Sequence, residues 1–268
     1  LRRRLHAGDA SDGGAAELRR RCDECLLVAL GLSCTLLAGL SLTTGRGAGA
    51  WTEWRDKIAV HSQLHPVTHT KRIGVGRLAL CDFDTVDVTN LGRQMLYGPE
   101  DIGKPKAQQA AERLARINPE IDIVPVTGRL DGAALRAAIA AADVVLDGSD
   151  NFATRFQVSD ACVETGTCLV SGAAIRFEGQ LAVFGPDYGA SPCYRCLYRE
   201  ADESLENCAG NGVLAPVPGV IGTLMAAEAL KHLAGIDAPR GTLRLFDAFS
   251  GDFRSVAIAK DPGCATCA

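Results

Sequence analysis

The chain has 268 residues, of which 47% are hydrophobic, and its formal net charge is −4. This length and apolar content suit one large globular domain or two small ones. The acidic balance provides no basic surface for nucleic acid, so no nucleic-acid partner is expected. Eleven cysteines are an odd number, and their spacing, described below, is typical of metal sites. Both observations favour a reducing compartment, and we expect a cytoplasmic protein.

The first 72 residues contain an uncharged apolar segment, Leu26–Leu42, which follows the basic run Arg19–Arg21. This arrangement imitates a membrane anchor, but the segment is at the short limit for a membrane span and contains hydroxyl side chains. A buried strand and helix is the better interpretation, and no membrane partner is expected. Both tryptophans and four of the five histidines also lie before residue 73. The sequence therefore predicts a divergent N-terminal segment over 1–72, followed by one domain over 73–268.

Beyond residue 73, apolar runs alternate with segments of helical spacing. The predicted strands are 78–82, 121–126, 143–147, 168–171, 180–184, 243–247 and 255–259. The predicted helices are 105–117, 135–142 and 219–234. Alternation of this kind predicts an α/β fold with a doubly wound, Rossmann-like sheet, and the last strands predict an antiparallel C-terminal extension. The polar stretch 198–217 predicts a mobile connection.

Two cysteine pairs share the spacing Cys-x-x-Cys: Cys193 with Cys196, and Cys264 with Cys267. A two-residue spacer allows both sulfurs of a pair to reach one ion, and zinc in a closed structural site takes four thiolates. The sequence therefore predicts a zinc knuckle of four cysteines that joins the C-terminus to a loop in the middle of the chain. Two redox-active pairs, or thiols without a ligand, are the alternative interpretation.

Acidic side chains follow two of the predicted strands. Asp82 stands where a doubly wound sheet places a carboxylate that accepts hydrogen bonds from ribose hydroxyls. Arg93, Lys104 and Lys106 come soon after it, and a cluster of cations beside such a carboxylate suits a triphosphate, although a solvated charged surface is the alternative. The segment Asp147–Asn151 offers oxygen ligands for magnesium, or it forms only a helix cap.

Several segments, in this order, resemble the MoeB/ThiF/HesA family of ubiquitin-activating-type adenylyltransferases. They are Cys81–Gln94, Gly103–Lys106, Asp147–Asn151, Ser171–Gln180 and the two cysteine pairs. The resemblance runs from about Gly74 to the C-terminus. The segment Ser171–Gln180 is more similar to MoeB than to ThiF, and MoeB-type enzymes activate the small carrier protein that supplies sulfur to molybdopterin synthase.

The resemblance implies an ATP site, a magnesium ion and a set of contacts. Asp82 would hold the ribose; Asn90, Arg93 and Lys106 would contact the phosphates; and Asp150 would bind Mg²⁺ beside Asn151. The residues implied to bind the nucleotide are Asp82, Thr89, Asn90, Leu91, Gly92, Arg93, Lys106, Asp150 and Asn151. The residues implied to act in catalysis are Asp150, Arg93 and Lys106, together with Cys208, whose position carries a reactive thiol in some relatives.

The resemblance also implies a substrate and partners. The carboxylate of the C-terminal glycine of a ubiquitin-like sulfur-carrier protein, MoaD-like or ThiS-like, would attack the α-phosphate of ATP. The products would be pyrophosphate and an acyl-adenylate, which would pass to a sulfur donor. Family members are typically homodimers, so a homodimer is expected here.

The N-terminal region departs from the family pattern. Family members have a first strand followed by a glycine-rich turn that lets the backbone approach phosphates, and that turn is not recognisable here. The segment Leu26–Cys34 is interpreted as a degraded copy in which Gly31 remains, with 45–72 as an insertion. The N-terminal arginine of the family has no clear counterpart, and Gly92 replaces the usual glutamine before Arg93.

These departures leave other functions open. One is a non-catalytic carrier-binding member with impaired ATP binding; another is a ThiF-type adenylyltransferase of the thiamine pathway. A nicotinamide dehydrogenase on the same sheet is weaker, because the cation cluster and the pair Asp150 and Asn151 suit a triphosphate and its metal.

Overall fold

The computed structural model describes residues 26–30, 75–199, 212–236 and 240–268. The strands in these ranges are β1 (Leu26–Leu30), β2 (Arg77–Cys81), β3 (Asp122–Val126), β4 (Val144–Asp147), β5 (Cys168–Ile175), β6 (Glu178–Phe184), β7 (Thr242–Asp247) and β8 (Asp252–Ala257). The α-helices there are α1 (Lys106–Ile117), α2 (Gly132–Ala140), α3 (Phe152–Thr165), α4 (Tyr194–Leu197) and α5 (Pro216–Leu233). Two 3₁₀ helices occupy Val88–Asn90 and Pro99–Asp101.

The described strands form one mixed sheet in the order β3-β2-β1-β4-β5-β6-β7-β8. The first five strands of this order, β3, β2, β1, β4 and β5, pair in parallel. The remaining pairs, from β5 to β8, are antiparallel. The parallel half reverses its direction of winding at β1 and β4, which is the arrangement of a Rossmann-like sheet. The predicted α/β class, the Rossmann-like sheet and the antiparallel extension are confirmed.

Strand β1 lies in the middle of the parallel half. It pairs with β2 on one side and β4 on the other, and Leu30 stands opposite both Cys81 and Asp147. The chain therefore leaves β1 at the edge of the sheet where β2 and β4 also end. A strand within Leu26–Leu42 is confirmed for these five residues, and the rest of that segment lies outside the described residues. In the described part of the chain, no helix is long and apolar enough to cross a membrane.

Two hydrophobic cores cover the two faces of the sheet. Leu78, Leu80 and Leu146 point to one face, where they pack with α1 and α5. Cys81 and Val145 point to the other face, where α2, α3 and the cysteine pairs pack. Neighbouring residues of a strand point to opposite faces, so a strand buried on both faces is apolar throughout. This explains why the strands were visible in the sequence as continuous apolar runs.

Several elements differ in extent from the prediction. Strand β5 continues beyond Ser171 to Ile175, because it forms a hairpin with β6. Strand β8 spans Asp252–Ala257 and so lies slightly earlier in the chain than the predicted range 255–259. Helix α5 begins at Pro216 rather than Gly219, since prolines in the first turn of a helix lose no hydrogen bond. Helix α3 was not predicted at all.

Candidate functional site

A cleft opens at the carboxyl ends of β2 and β4, beside the first turns of α1 and α3. Its charged lining residues are Asp82, Asp84, Arg93, Lys106, Arg129, Asp150 and Arg155. Apolar and small residues from α5 and β5 also line it, among them Met225 and Ala173. The cleft thus brings cations and carboxylates together at the switch point of a doubly wound sheet, where such folds bind ligands.

Five of the nine residues predicted to bind nucleotide line this cleft: Asp82, Arg93, Lys106, Asp150 and Asn151. The other four, Thr89–Gly92, are not among its lining residues. They belong to the 3₁₀ turn that precedes Arg93. The backbone N–H of Asp87 donates to the Asn90 side chain (3.1 Å), so the Asn90 amide oxygen closes this turn in the structure.

The same turn also holds the guanidinium group of Arg93 in place. Asp87 accepts hydrogen bonds from the Thr89 hydroxyl (2.6 Å) and the Thr89 backbone N–H (2.8 Å), and these bonds lower the pKa of Asp87. Arg93 donates to the backbone carbonyl of Thr89 (2.9 Å). A Cβ atom at Gly92 would meet nothing within 4 Å. The backbone therefore leaves room for the glutamine that the family has there, and Gly92 does not disturb the path of the chain to Arg93.

Lys106 is the first residue of α1, and it is buried, with a relative exposure of 7%. Its ammonium lies 3.0 Å from a carboxylate oxygen of Asp84. Its carbonyl accepts a hydrogen bond from the hydroxyl of buried Tyr97 (3.1 Å). A cation held out of water in a cleft is suited to a negatively charged ligand, because its charge is little screened there.

Asp150 and Asn151 have different roles in the geometry. The Asn151 side chain accepts a hydrogen bond from the backbone N–H of Thr154 (2.8 Å) and caps α3. For Asn151 the capping role that the sequence left open is therefore present. Asp150 is exposed on the cleft, so its carboxylate is accessible to a metal ion or ligand.

Arg129, Leu130 and Arg155 are among the cleft residues that were missed from the sequence. Arg129 and Leu130 follow β3, at the same edge of the sheet as Asp82 and Asp150, and Arg129 lies over the Phe83 ring at 5.5 Å. Asp82 and Asp150 were predicted because polar residues that follow parallel strands lie at the same edge of the sheet. The same rule would have predicted Arg129. Arg155 lies one helical turn after Asn151 and donates to the Ser149 carbonyl. Its signal was hidden because α3 was not predicted.

Cys81 is the one cysteine among the described lining residues of the cleft. Burial raises its pKa to about 11, and the charge of Asp82 acts in the same direction. A thiol with this pKa is protonated at neutral pH and is a poor nucleophile. Cys208, the predicted candidate for a reactive thiol, lies outside the described residues, as does most of the predicted mobile connection.

The four cysteines of the two pairs form one cluster, and their sulfur atoms all lie within 4.8 Å of one another. The sulfurs of Cys193 and Cys264 are 3.7 Å apart, and those of Cys196 and Cys267 are 3.5 Å apart. Zinc–sulfur bonds of about 2.3 Å in a tetrahedron place sulfurs about 3.8 Å apart. The donor set therefore fits one tetrahedral metal ion.

Hydrogen bonds around the cluster suit thiolate sulfurs. The backbone N–H of Asp261 points at the sulfur of Cys196 (3.4 Å), and the Lys260 ammonium lies 3.4 Å from the sulfur of Cys267. Burial raises the pKa of Cys196. Burial acts in the same direction on Cys264, but backbone N–H groups and neighbouring thiols donate to its sulfur, so that its pKa is lowered to about 7. A bound cation would favour the thiolate form of all four.

Spacer residues of the two pairs fasten the cluster to α3. Arg195 makes two hydrogen bonds of 2.7 Å to the Asp160 carboxylate, and Thr266 donates to the same carboxylate (3.3 Å). The Arg195 guanidinium also lies over the Phe156 ring at 4.3 Å. Because Phe156 and Asp160 belong to the helix that follows Asp150, the cluster stabilises the same helix that borders the cleft.

Comparison with known proteins decides the family. The model of the ThiF family matches residues 67–266. This chain belongs to the ThiF family. It is 47% identical over 194 residues to the sulfur carrier protein ThiS adenylyltransferase of Escherichia coli K12, covering 72% of this chain and 77% of that protein. It is 48% identical over 195 residues to the molybdopterin-synthase adenylyltransferase of the same organism, covering 72% and 78%.

Solved structures agree with this fold. Escherichia coli MccB matches with a TM-score of 0.69 at 17% identity, over 94% of this chain and 67% of that chain. The family inferred from the sequence motifs is confirmed, and so is the enzyme class, an adenylyltransferase. The two E. coli relatives are almost equally similar, so the finer expectation that this chain is closer to the MoeB type is not resolved.

Proposed function

We propose that this chain adenylates the C-terminal glycine of a ubiquitin-like sulfur-carrier protein with ATP. The observation that carries the proposal is the cleft in which Arg93 and Lys106 lie with Asp82 and Asp150 at the carboxyl ends of β2 and β4. The names of the relatives, which include adenylyltransferases for ThiS and for molybdopterin synthase, support the same substrate class.

The charges in the cleft suit the proposed reaction. One oxygen of the carrier carboxylate bonds to the α-phosphorus of ATP, the bond from that phosphorus to the β-phosphate bridging oxygen breaks, and pyrophosphate leaves with the electron pair. The carboxylate is ionised at neutral pH, so no general base is needed. Both reactants are anions and repel each other. Arg93 and Lys106 neutralise this repulsion and hold the phosphates in line, so positioning and electrostatics supply the catalysis.

Asp82 and Asp150 complete the site. Asp82 accepts hydrogen bonds from the ribose hydroxyls, as carboxylates after the second strand do in nucleotide-binding sheets. Asp150 offers an exposed oxygen ligand, which suits Mg²⁺ bound to phosphates. The ion supplies neutralisation of phosphate charge when it is bound. Thr89–Gly92 act indirectly, as the turn from which Arg93 projects.

Substitution of either cation should lower the reaction rate. Arg93→Ala and Lys106→Ala each remove a contact to phosphate charge, and loss of one such contact costs about 10²- to 10³-fold in rate. The measurement is carrier-dependent ATP–pyrophosphate exchange. The control is Arg116→Ala, which removes an exposed cation at the far end of α1. The exchange is measured in the protein with an intact family N-terminus in place of residues 1–72, and exchange by Arg93→Ala within a few-fold of that parent protein would contradict the assigned phosphate contact.

We infer that the cysteine cluster holds one zinc ion that is structural. Four thiolates fill all positions of a tetrahedral ion and leave none open for water, so the ion has no catalytic role. This inference is supported by the sulfur–sulfur distances and by the N–H groups directed at the sulfurs. It includes Cys193, Cys196, Cys264 and Cys267 as the ligands.

Loss of one zinc ligand should destabilise the C-terminal half of the chain, and any effect on the adenylation reaction should follow from that loss of stability. Cys264→Ser is expected to reduce the zinc content well below one ion per chain and to lower the thermal midpoint, because the ion joins two distant segments. Metal analysis and calorimetry measure both quantities. The control Cys168→Ala changes a buried cysteine outside the cluster and should keep one zinc. Purified protein without stoichiometric zinc, or full stability of Cys264→Ser, would overturn the inference.

The carrier itself is distinguished by experiment. Pyrophosphate release by the protein with an intact family N-terminus in place of residues 1–72 is measured after adding a MoaD-like carrier or a ThiS-like carrier, each with its terminal glycine and with that glycine deleted. Release with only one intact carrier assigns the pathway, molybdenum cofactor or thiamine. Release that persists after deletion of the glycine, or ATP hydrolysis without any carrier, would contradict the proposed substrate.

We propose that residues 73–268 form the adenylyltransferase domain together with β1, the strand that the divergent segment 1–72 contributes to the sheet, and that the enzyme is a cytoplasmic homodimer. A sulfur donor then takes over the acyl-adenylate. Cys208 stays a candidate for a thiol that accepts the acyl group, and Cys208→Ser with intact pyrophosphate exchange would limit any role to steps after adenylation.

A further inference from the structure

Asp84 lies between the two residues to which the proposed function assigns the ribose and a phosphate. Its backbone N–H donates to a carboxylate oxygen of Asp82 (2.9 Å), and its own carboxylate lies 3.0 Å from the ammonium of Lys106. Its side chain is 55% exposed, whereas that of Lys106 is 9% exposed. Asp84 therefore faces the cleft from the side that is open to solvent and reaches the buried cation.

The backbone holds this pair in register. The N–H of Lys106 donates to the carbonyl of Asp84 (2.9 Å), the N–H of Val86 to the carbonyl of Lys104 (2.9 Å), and the N–H of Gly103 to the carbonyl of Val86 (2.8 Å). These bonds join the segment after β2 to the segment before α1. The distance between the Asp84 carboxylate and the Lys106 ammonium is thus set by the fold rather than by two free side chains.

We propose that Asp84 is a positioning residue that fixes the ammonium of Lys106 for the phosphates of ATP. The inference rests on the proposed function and deepens it. A lysine side chain has rotatable bonds and three N–H donors, so one donor engaged by Asp84 fixes the position of the nitrogen and leaves two donors for phosphate oxygens. The carboxylate also compensates a buried positive charge that would otherwise be unpaired before nucleotide binds.

Two other roles predict different behaviour. If Asp84 competed with phosphate for Lys106, removal of its charge would strengthen nucleotide binding. If Asp84 were a ligand of Mg²⁺, removal would weaken binding of MgATP but not of metal-free ATP. A positioning role predicts weaker binding of both forms, because the position of Lys106 is lost in either case. Kinases use a lysine–glutamate ion pair at their phosphate site in a comparable manner.

The test is acetylation of Lys106 in the full chain by acetic anhydride, measured by mass spectrometry against Lys231, which lies on α5 away from the cleft. Titration with MgATP should protect Lys106 from acetylation. We expect Asp84→Asn to raise the half-protective concentration at least tenfold with MgATP and also with metal-free ATP. Asp84→Glu, which keeps the charge, should lie between Asp84→Asn and the unmodified chain. Asp122→Asn, the control, removes an exposed carboxylate paired with Arg77 and should change nothing.

An unchanged or lower half-protective concentration in Asp84→Asn would overturn the proposal, as would an effect confined to MgATP. A thermal midpoint lowered equally by Asp84→Asn and Asp84→Glu, without recovery of protection in Asp84→Glu, would show a merely structural role. The same titration is made with an intact family N-terminus in place of residues 1–72, so that weak affinity does not mask protection. If Lys106 is unprotected even there, the phosphate contact of the proposed function fails, which is distinct from failure of the Asp84 inference alone.

Discussion

The chain as it stands should bind ATP weakly or undetectably, and replacement of residues 1–72 by an intact family N-terminus should restore binding. In the family, residues without a Cβ atom let phosphate oxygens approach several backbone N–H groups at the start of a helix. Here β1 ends at Leu30, beside Asp147, and the residues that follow it in the sequence are Gly31, Leu32 and Ser33. Two of these three carry side chains where the family has its glycine-rich turn.

The expected size of this effect follows from the hydrogen bonds that the phosphates would not receive. A hydrogen bond to a charged group contributes about 1.5–3 kcal/mol, so the absence of several corresponds to orders of magnitude in affinity. Calorimetric titration of both proteins with MgATP measures the difference, and the cleft residues from Asp82 to Asp150 are the same in both. Micromolar affinity in the unmodified chain would mean that Gly31 and its neighbours form a working loop.

Asp150→Ala should abolish carrier-dependent ATP–pyrophosphate exchange while the fold stays intact. The residue is exposed on the cleft and does not belong to either hydrophobic core of the described chain, so its removal should leave the thermal midpoint nearly unchanged. Its proposed task is to hold Mg²⁺, whose charge the transferred phosphate requires. The exchange is measured in the protein with the intact family N-terminus, so that weak ATP binding does not limit the signal.

A matched substitution distinguishes loss of the carboxylate beside the cleft from loss of an exposed carboxylate elsewhere on α3. Glu164→Ala removes an exposed carboxylate near the other end of α3, where it pairs with Arg136 at 3.8 Å. Exchange by Glu164→Ala should equal that of the parent protein. Near-normal exchange by Asp150→Ala would refute the magnesium assignment, whereas equal losses in both variants would point to an effect of α3 itself.

The sequence predicted those parts of the fold whose burial leaves a simple pattern. Strands β2 and β4 are covered on both faces, so they appear as apolar runs, and α1 has one buried stripe, from Ala107 to Leu114, at helical spacing. Four cysteines in two equal spacings predicted a cluster that the fold brings together. In each case the signal is a regular spacing of residues along the chain.

Helix α3 shows why other parts were not predictable in this way. It packs between the sheet and the cysteine cluster, and its buried residues include Arg155 and Ser159 as well as Phe152, Phe156 and Val158. Burial on more than one side, with polar residues among the buried ones, removes the apolar periodicity that marks a surface helix. Its local signals were at its two ends: Asn151, which caps the first turn, and Gly166, which ends the helix in the left-handed conformation (φ 69°).

The candidate site was predictable in its cations and carboxylates but not in its contacts. Asp82 and Asp150 follow strands, and the family motifs identify Arg93 and Lys106. The pairing of Lys106 with Asp84 depends on the backbone bonds between two segments that are distant in sequence, and Arg129 reaches the cleft from a third strand end. Contacts of this kind come from tertiary packing, which a single sequence does not display.

One step defines the proposed function, namely transfer of an adenylyl group to the C-terminal carboxylate of a carrier. It is tested by the intact mass of a sulfur carrier after incubation with MgATP and the protein bearing an intact family N-terminus, with the unmodified chain beside it. We predict a carrier mass increased by one adenylyl group, only when the terminal glycine is present, with less product from the unmodified chain. A carrier whose mass never changes, although ATP binds in the cleft, would contradict the proposed function.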